Sequence, residues 1–227
     1  MMKRLLAVWL FSAVASMAAF LSSGTATGAS GTITTTSFNT TGADLIVCAC
    51  SASSLCASPA DFYSNSWSSI VGTNQTMYYS NVTTVGTVET VSVTANNSSL
   101  ICMAFSATGL LDKSGTANMT GFAANTATIT PSANSELIIG SATVPGTAPT
   151  CGASTGFNVT LTQKLLQPNG TFVGNELCAG YQSTAASGFI GFGNSPSAFG
   201  SYRTVIASFK GAVVLTYVSN PWVIMLN

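Results

Sequence analysis

Histidine is absent from all 227 residues, and only 12 side chains carry a formal charge, six of each sign. The first absence rules out the serine and cysteine hydrolase arrangements that need an imidazole base. The second removes the clustered Lys and Arg that neutralise phosphates, so nucleic acid is not an expected partner. Metal ligands are equally scarce. Cys48-Ala49-Cys50 is tighter than the usual zinc spacing and no second close cysteine pair exists, while histidine cannot complete a tetrahedral set. No Asp-x-Asp run gathers oxygens for calcium, which leaves Asp61 and Asp112 isolated. No metal and no cofactor are expected. No apolar run reaches the roughly 20 residues of a spanning helix, and helical periodicity is nearly missing.

What the chain has instead is hydroxyls, 31 Ser and 31 Thr, which keep a surface soluble without electrostatic steering. At the N-terminus Lys3 and Arg4 precede the apolar run Leu5 to Ala15, and Ser16-Met17-Ala18 supplies small residues at minus three and minus one. These are the marks of a Sec-type signal peptide. Residues 1–18 are read as that signal, with cleavage after Ala18 the first choice and cleavage after Ala15 or near Ala29 left open. No cysteine near these sites supports a lipid anchor. The remaining chain holds four cations (Lys113, Lys164, Arg203, Lys210) against six anions (Asp44, Asp61, Glu89, Asp112, Glu136, Glu176), a net charge of −2. It is expected to be secreted, extracellular or at the cell surface, without an integral membrane span.

All six cysteines lie downstream of the signal: Cys48, Cys50, Cys56, Cys102, Cys151 and Cys178. In an oxidising compartment an even set favours disulfides, with 15 complete connectivities open to six thiols. Cys151 and Cys178 flank a hairpin-like stretch, Asn158 to Gln163, and are expected to pair. Cys48 and Cys50 point to the same side of one strand, so one of them can meet Cys102 while Cys56 takes the other.

Strand signals recur about every 8–12 residues. They cover Thr32 to Phe38, Asp44 to Ser51, Ser66 to Val71, Thr76 to Ser80, Thr87 to Ala95, Leu100 to Ala107 and Ala127 to Thr130. Further on come Glu136 to Thr143, Asn158 to Gln163, Glu176 to Gln182, Gly188 to Phe192 and Tyr202 to Phe209. The expected fold is an all-β antiparallel sandwich of about 10–13 strands, immunoglobulin-like or jelly-roll-like, occupying residues 31–210 as one domain. Leu45-Ile46-Val47 and Leu137-Ile138-Ile139 lack alternation, as strands covered on both faces do. Gly42, Gly72, Gly86, Gly109, Gly115 and Gly121 are read as turns. Residues 211–227 form an apolar tail. Within it Ala212 to Val218 reads as an edge strand of the sandwich, with self-assembly as the rival role.

The remaining chemistry is thin. Trp67 reads as a core aromatic capping one end of the sandwich, with a sugar-stacking platform as the alternative. A glycosidase needs two carboxyl groups flanking the bond, and Glu136 and Glu176, each heading a predicted strand, are the best pair by elimination. Eight Asn-x-Ser/Thr sequons occur, at Asn39, Asn74, Asn81, Asn96, Asn97, Asn118, Asn158 and Asn169; in a eukaryotic host they would be accepted as glycan sites.

Four stretches carry a resemblance: Gly42-Ala43-Asp44-Leu45-Ile46-Val47; Asn65-Ser66-Trp67; Met103-Ala104-Phe105-Ser106-Ala107-Thr108-Gly109-Leu110 with Leu111-Asp112; and Ile129-Thr130-Pro131 to Glu136-Leu137-Ile138-Ile139-Gly140, closed by Ala207-Ser208-Phe209-Lys210. In order and spacing the chain resembles a β-sandwich module of secreted bacterial surface proteins, often set beside fibronectin-like and immunoglobulin-like repeats, and of some phage tail proteins. The resemblance implies a sandwich and no settled activity. The many cysteines and the tail after Lys210 depart from it. The expected role is non-catalytic, in adhesion, glycan binding or assembly, with glycans or surface proteins as partners. A secreted carbohydrate-active enzyme and a structural subunit of a filament or phage tail are the alternatives.

Overall fold

A computed structural model describes residues 11–15, 18–73, 75–121, 125–145, 160–166, 175–182, 190–194, 200–211 and 213–217. Cys151, the sequons at Asn74, Asn158 and Asn169 and residues 218–227 of the apolar tail lie outside them. The described chain is all-β and contains no helix. In order its strands are β1 (Phe11–Ala15), β2 (Ala19–Gly28), β3 (Thr32–Thr34), β4 (Leu45–Ser51), β5 (Ala60–Asp61), β6 (Ser68–Val71), β7 (Gln75–Asn81), β8 (Val91–Thr94) and β9 (Ser98–Ser106). Then follow β10 (Thr108–Gly121), β11 (Asn125–Ile129), β12 (Leu137–Pro145), β13 (Thr160–Leu166), β14 (Asn175–Gln182), β15 (Ile190–Asn194), β16 (Gly200–Gly211) and β17 (Val213–Tyr217).

Two five-stranded antiparallel sheets, β2-β9-β4-β7-β6 and β10-β16-β12-β14-β13, face each other as a sandwich. Leu45, Val47, Ala49, Met77, Ile101, Met103 and Phe105 from the first meet Leu137, Ile139, Leu177, Ala179, Val205, Ala207 and Phe209 from the second. Alternation sends Ile46, Cys48, Cys50, Leu100, Cys102 and Ala104 to the outer face of the first sheet, into a second core with Ile33, Phe38, Val91 and Val93. That core is roofed by the small sheet β3-β8-β5 and the loops beside it. Every residue of β4 is buried because both of its faces are covered, the reason its sequence shows no alternation.

The two sheets are built alike. In both, the first strand of a half pairs with its last, β2 with β9 and β10 with β16. Leu45 lies opposite Phe105 as Leu137 lies opposite Phe209, and Val47 opposite Tyr79 as Ile139 opposite Tyr181. A bulge follows Phe20 in β2 and Leu111 in β10, each opposite the equivalent phenylalanine. The two five-stranded sheets therefore share one strand order and stack about an approximate two-fold axis, while the small sheet β3-β8-β5 of the first half has the two-stranded β11-β15 as its counterpart in the second. Contacts across the sandwich are reciprocal: Tyr79 packs edge-on to Phe209 at 5.5 Å and Tyr181 to Phe105 at 5.2 Å. Ser51 and Thr143 occupy equivalent positions and hydrogen-bond to each other at 2.8 Å, as groups beside such an axis must.

Three expectations change. The sandwich begins at Ala19, not near residue 31: β2 is a full member of the first sheet, and its Phe20 stacks on Tyr181 at 5.1 Å. The tail strand β17 pairs with β1, outside both sandwich sheets. Gly109 and Gly115 are no turns; both lie inside β10, and Gly115 holds the place Gly24 has in β2, opposite Ile206 where Gly24 is opposite Cys102. A Cβ at Gly115 would lie 2.5 Å from the Thr128 carbonyl oxygen, and one at Gly24 would lie 2.5 Å from that of Thr36. Each glycine lets another strand or loop cross the sheet at close range.

Gly24→Ala and Gly115→Ala should each destabilise the protein by about 1–3 kcal/mol through overpacking. Thermal melts of both variants check this, and an unchanged midpoint for either would contradict the crossing.

Candidate functional site

The roof over the first sheet gathers the features that sequence reading singled out. Cys48 and Cys102 are directly opposite on β4 and β9 and form a disulfide with Cα atoms 4.0 Å apart. Cys50 joins Cys56 across a separation of six residues and anchors the loop leaving β4. The buried Tyr78 hydroxyl donates to the Cys56 carbonyl oxygen, and burial raises the phenol's pKa. Cys178 is buried in β14 and disulfide-bonded; its expected partner Cys151 lies outside the described residues.

Beyond Cys56 the chain makes a tight turn at Asp61-Phe62-Tyr63-Ser64. Ser64 N–H donates to the Asp61 carbonyl oxygen at 3.2 Å, with Ser64 in the left-handed region at φ 59°. Asn65 locks this turn to the neighbouring loop. Its backbone N–H and its Nδ2 donate to the Asp61 carboxylate at 2.8 and 2.7 Å, and Nδ2 also donates to the Thr84 carbonyl oxygen at 3.1 Å. Its Oδ1 accepts from the Thr83 and Thr84 amides, both at 3.1 Å. Behind the turn Glu89 is fully buried. Its Oε1 accepts from Phe62 N–H at 3.1 Å and Thr90 N–H at 2.9 Å, while Oε2 has no partner. Burial, and after it the charge of Asp61, raise the Glu89 pKa against those two hydrogen bonds.

This bracing displays aromatic surface. Phe62 is 63% exposed and stands edge-on to Tyr63 at 5.0 Å. Leu55 and Val88 on the same roof are also more than half exposed. Gly86 is required beneath them, since a Cβ there would strike the Tyr63 hydroxyl. Trp67 plays another part. It is half-buried against the second core, with its indole N–H unpartnered, so the aromatic surface of this loop is offered by Phe62 and Tyr63 instead. The signal in the sequence was the aromatic pair set between Asp61 and Asn65, the residues that build side-chain-closed turns.

The acid pair taken by elimination does not come together. Glu136 immediately precedes β12, whereas Glu176 lies opposite Val144 near the far end of that strand, roughly 26 Å away at about 3.3 Å per residue. Glycosidases need their carboxyl groups within about 10 Å. Glu136 instead neighbours Asp112 through Ser132. Ser132 donates its hydroxyl and its amide to Asp112 at 2.6 and 2.8 Å, and its Oγ is 3.4 Å from Glu136 Oε1. Glu136 Oε1 accepts from Ala133 N–H at 2.9 Å. The Ser132 hydroxyl lowers the Asp112 pKa, and Lys210 lies 3.7 Å from its carboxylate. These acids brace the turn before β12.

No protein-family model, curated protein or solved structure matches the chain.

Two outcomes follow for the roof. A raised folded-state pKa means that Glu89 stabilises fully below the ordinary glutamate value, and that this contribution is lost as pH rises through the raised value. The melting temperature of Glu89→Gln relative to wild type should therefore climb between pH 4 and 7; a difference that is flat with pH would contradict the burial. In the chain-entropy description, opening Cys48–Cys102 with paired alanines should cost about 4 kcal/mol and opening Cys50–Cys56 about 2 kcal/mol, measured by denaturant unfolding.

Proposed function

We propose that the chain is an exported β-sandwich that acts without catalysis at the cell surface or outside the cell, binding glycans through the Phe62–Tyr63 turn. The observation carrying this reading is an aromatic ring left 63% exposed on a turn held by five hydrogen bonds to Asp61 and Asn65 side chains and, from beneath, by buried Glu89. A loop braced in advance loses little entropy on binding, and an aromatic face suits the apolar side of a sugar ring. Exposed Ser64 and Ser66 add hydroxyls to the same loop. Export is supported by the N-terminal signal pattern and by the disulfides, which persist in oxidising compartments. Cleavage after Ala15 or Ala18 keeps β2, whereas cleavage near Ala29 would strip that strand from the first sheet. The enzyme alternative has lost its acid pair.

Binding of the oxidised, processed protein to a printed array of neutral and acidic oligosaccharides tests the reading. Phe62→Ala should weaken retention at least tenfold, about 1.4 kcal/mol, at an unchanged melting temperature. Absence of any retained glycan, or equal retention by the variant, would overturn it.

A further inference from the structure

Among the described residues strand β17 makes its ladder with β1 alone, in the register Phe11↔Tyr217, Ser12↔Thr216, Ala13↔Leu215, Val14↔Val214 and Ala15↔Val213. The two form a separate ribbon and enter neither sandwich sheet. A two-stranded ribbon of this length is marginal in water, and a strand with unpaired backbone groups recruits another. On the export reading, β1 lies wholly inside the removed segment, whether cleavage follows Ala15 or Ala18. Processing then strips β17 of its partner and leaves all ten strands of the two sandwich sheets, cleavage after Ala18 also removing that buried alanine.

We propose that in the processed protein β17 pairs antiparallel with β17 of a second copy, forming a two-fold dimer centred on Leu215. The proposal rests on the export reading. Antiparallel self-pairing about that residue places Val213 opposite Tyr217, Val214 opposite Thr216 and Leu215 opposite itself. Self-pairing exchanges Ala15, Ala13 and Ser12 for Tyr217, Leu215 and Val214, and exchanges Phe11 and Val14 for Val213 and Thr216, so all five positions keep an apolar, aromatic or β-branched cross-strand neighbour. No residue of β17 is charged, so identical strands meet without like-charge repulsion. The contact is isologous and closes at two copies. Chain order supports the assignment: β9 passes into β10 across Ala107 alone, and β16 passes into β17 across one residue, 212. In the first case the new strand opens another sheet; in the second, among the described residues, β1 is the one strand that receives it.

The full chain, expressed with export and purified oxidised, provides the test through intact mass, light scattering and two single-cysteine variants. The expected product starts at Ser16 or Ala19 and has twice the monomer mass. Leu215→Cys should form a covalent dimer in air, and Thr216→Cys, which faces Val214, should do so at least tenfold less. Leu215→Pro should restore monomer mass with unchanged melting; should it aggregate, a chain ending at Gly211 takes its place. A processed product that stays monomeric overturns the dimer and leaves export standing. A secreted product that begins at Met1 overturns removal of the signal and the dimer together. A dimer that survives loss of β17, or that crosslinks at 216 and not at 215, overturns the interface.

Discussion

Tyr79 stands edge-on to Phe209, and Tyr181 stands edge-on to Phe105 while stacking on Phe20. Each half of the chain contributes its tyrosine to the phenylalanine of the other, so neither sheet can bury its inner face alone. This reciprocity is what a homodimer interface shows, carried here within one polypeptide. Truncating a ring in such a position costs about 3–5 kcal/mol. Strand order, bulge positions and strand-crossing glycines recur in both halves because both must present the same face to the same axis.

Committing one face of β4 and β9 to that shared core leaves their other face equally apolar, with Ile46, Leu100 and Ala104 pointing outward. The roof exists to cover it. Two disulfides fix the sheet below and the loop that leaves it, buried Glu89 and the Asp61–Asn65 pair fix the turn above, and the aromatic display of Phe62 is the product. Structural cover and proposed binding surface are thus the same layer. Glu89, a carboxyl in that layer whose pKa burial raises, holds the Phe62 amide directly.

Much of the fold was legible. Continuous apolar runs at Leu45-Ile46-Val47 and Leu137-Ile138-Ile139 marked strands covered on both faces, and the strand signal over Thr87 to Ala95 marked β8. What misled was glycine. Gly115 resembles a turn residue locally, and only the carbonyl of Thr128 arriving from β11 explains it. The duplication was written in the chain and passed unread: Ser23-Gly24-Thr25-Ala26 recurs as Ser114-Gly115-Thr116-Ala117, and Asp44-Leu45-Ile46-Val47 as Glu136-Leu137-Ile138-Ile139. Read as repeats, these would have placed β2 and β10 as equivalent strands. The carboxylate pairings were beyond reach, since Asp61 with Glu89 and Asp112 with Glu136 are set by loop closure rather than by spacing.

If the two halves share one core, they cannot unfold separately. Differential scanning calorimetry of the oxidised protein measures this most directly. A single transition whose calorimetric enthalpy equals its van't Hoff enthalpy is the predicted result, and it should shift as one when either Phe105 or Phe209 is replaced by alanine. Two resolved transitions, with each substitution moving only one of them, would contradict the shared core.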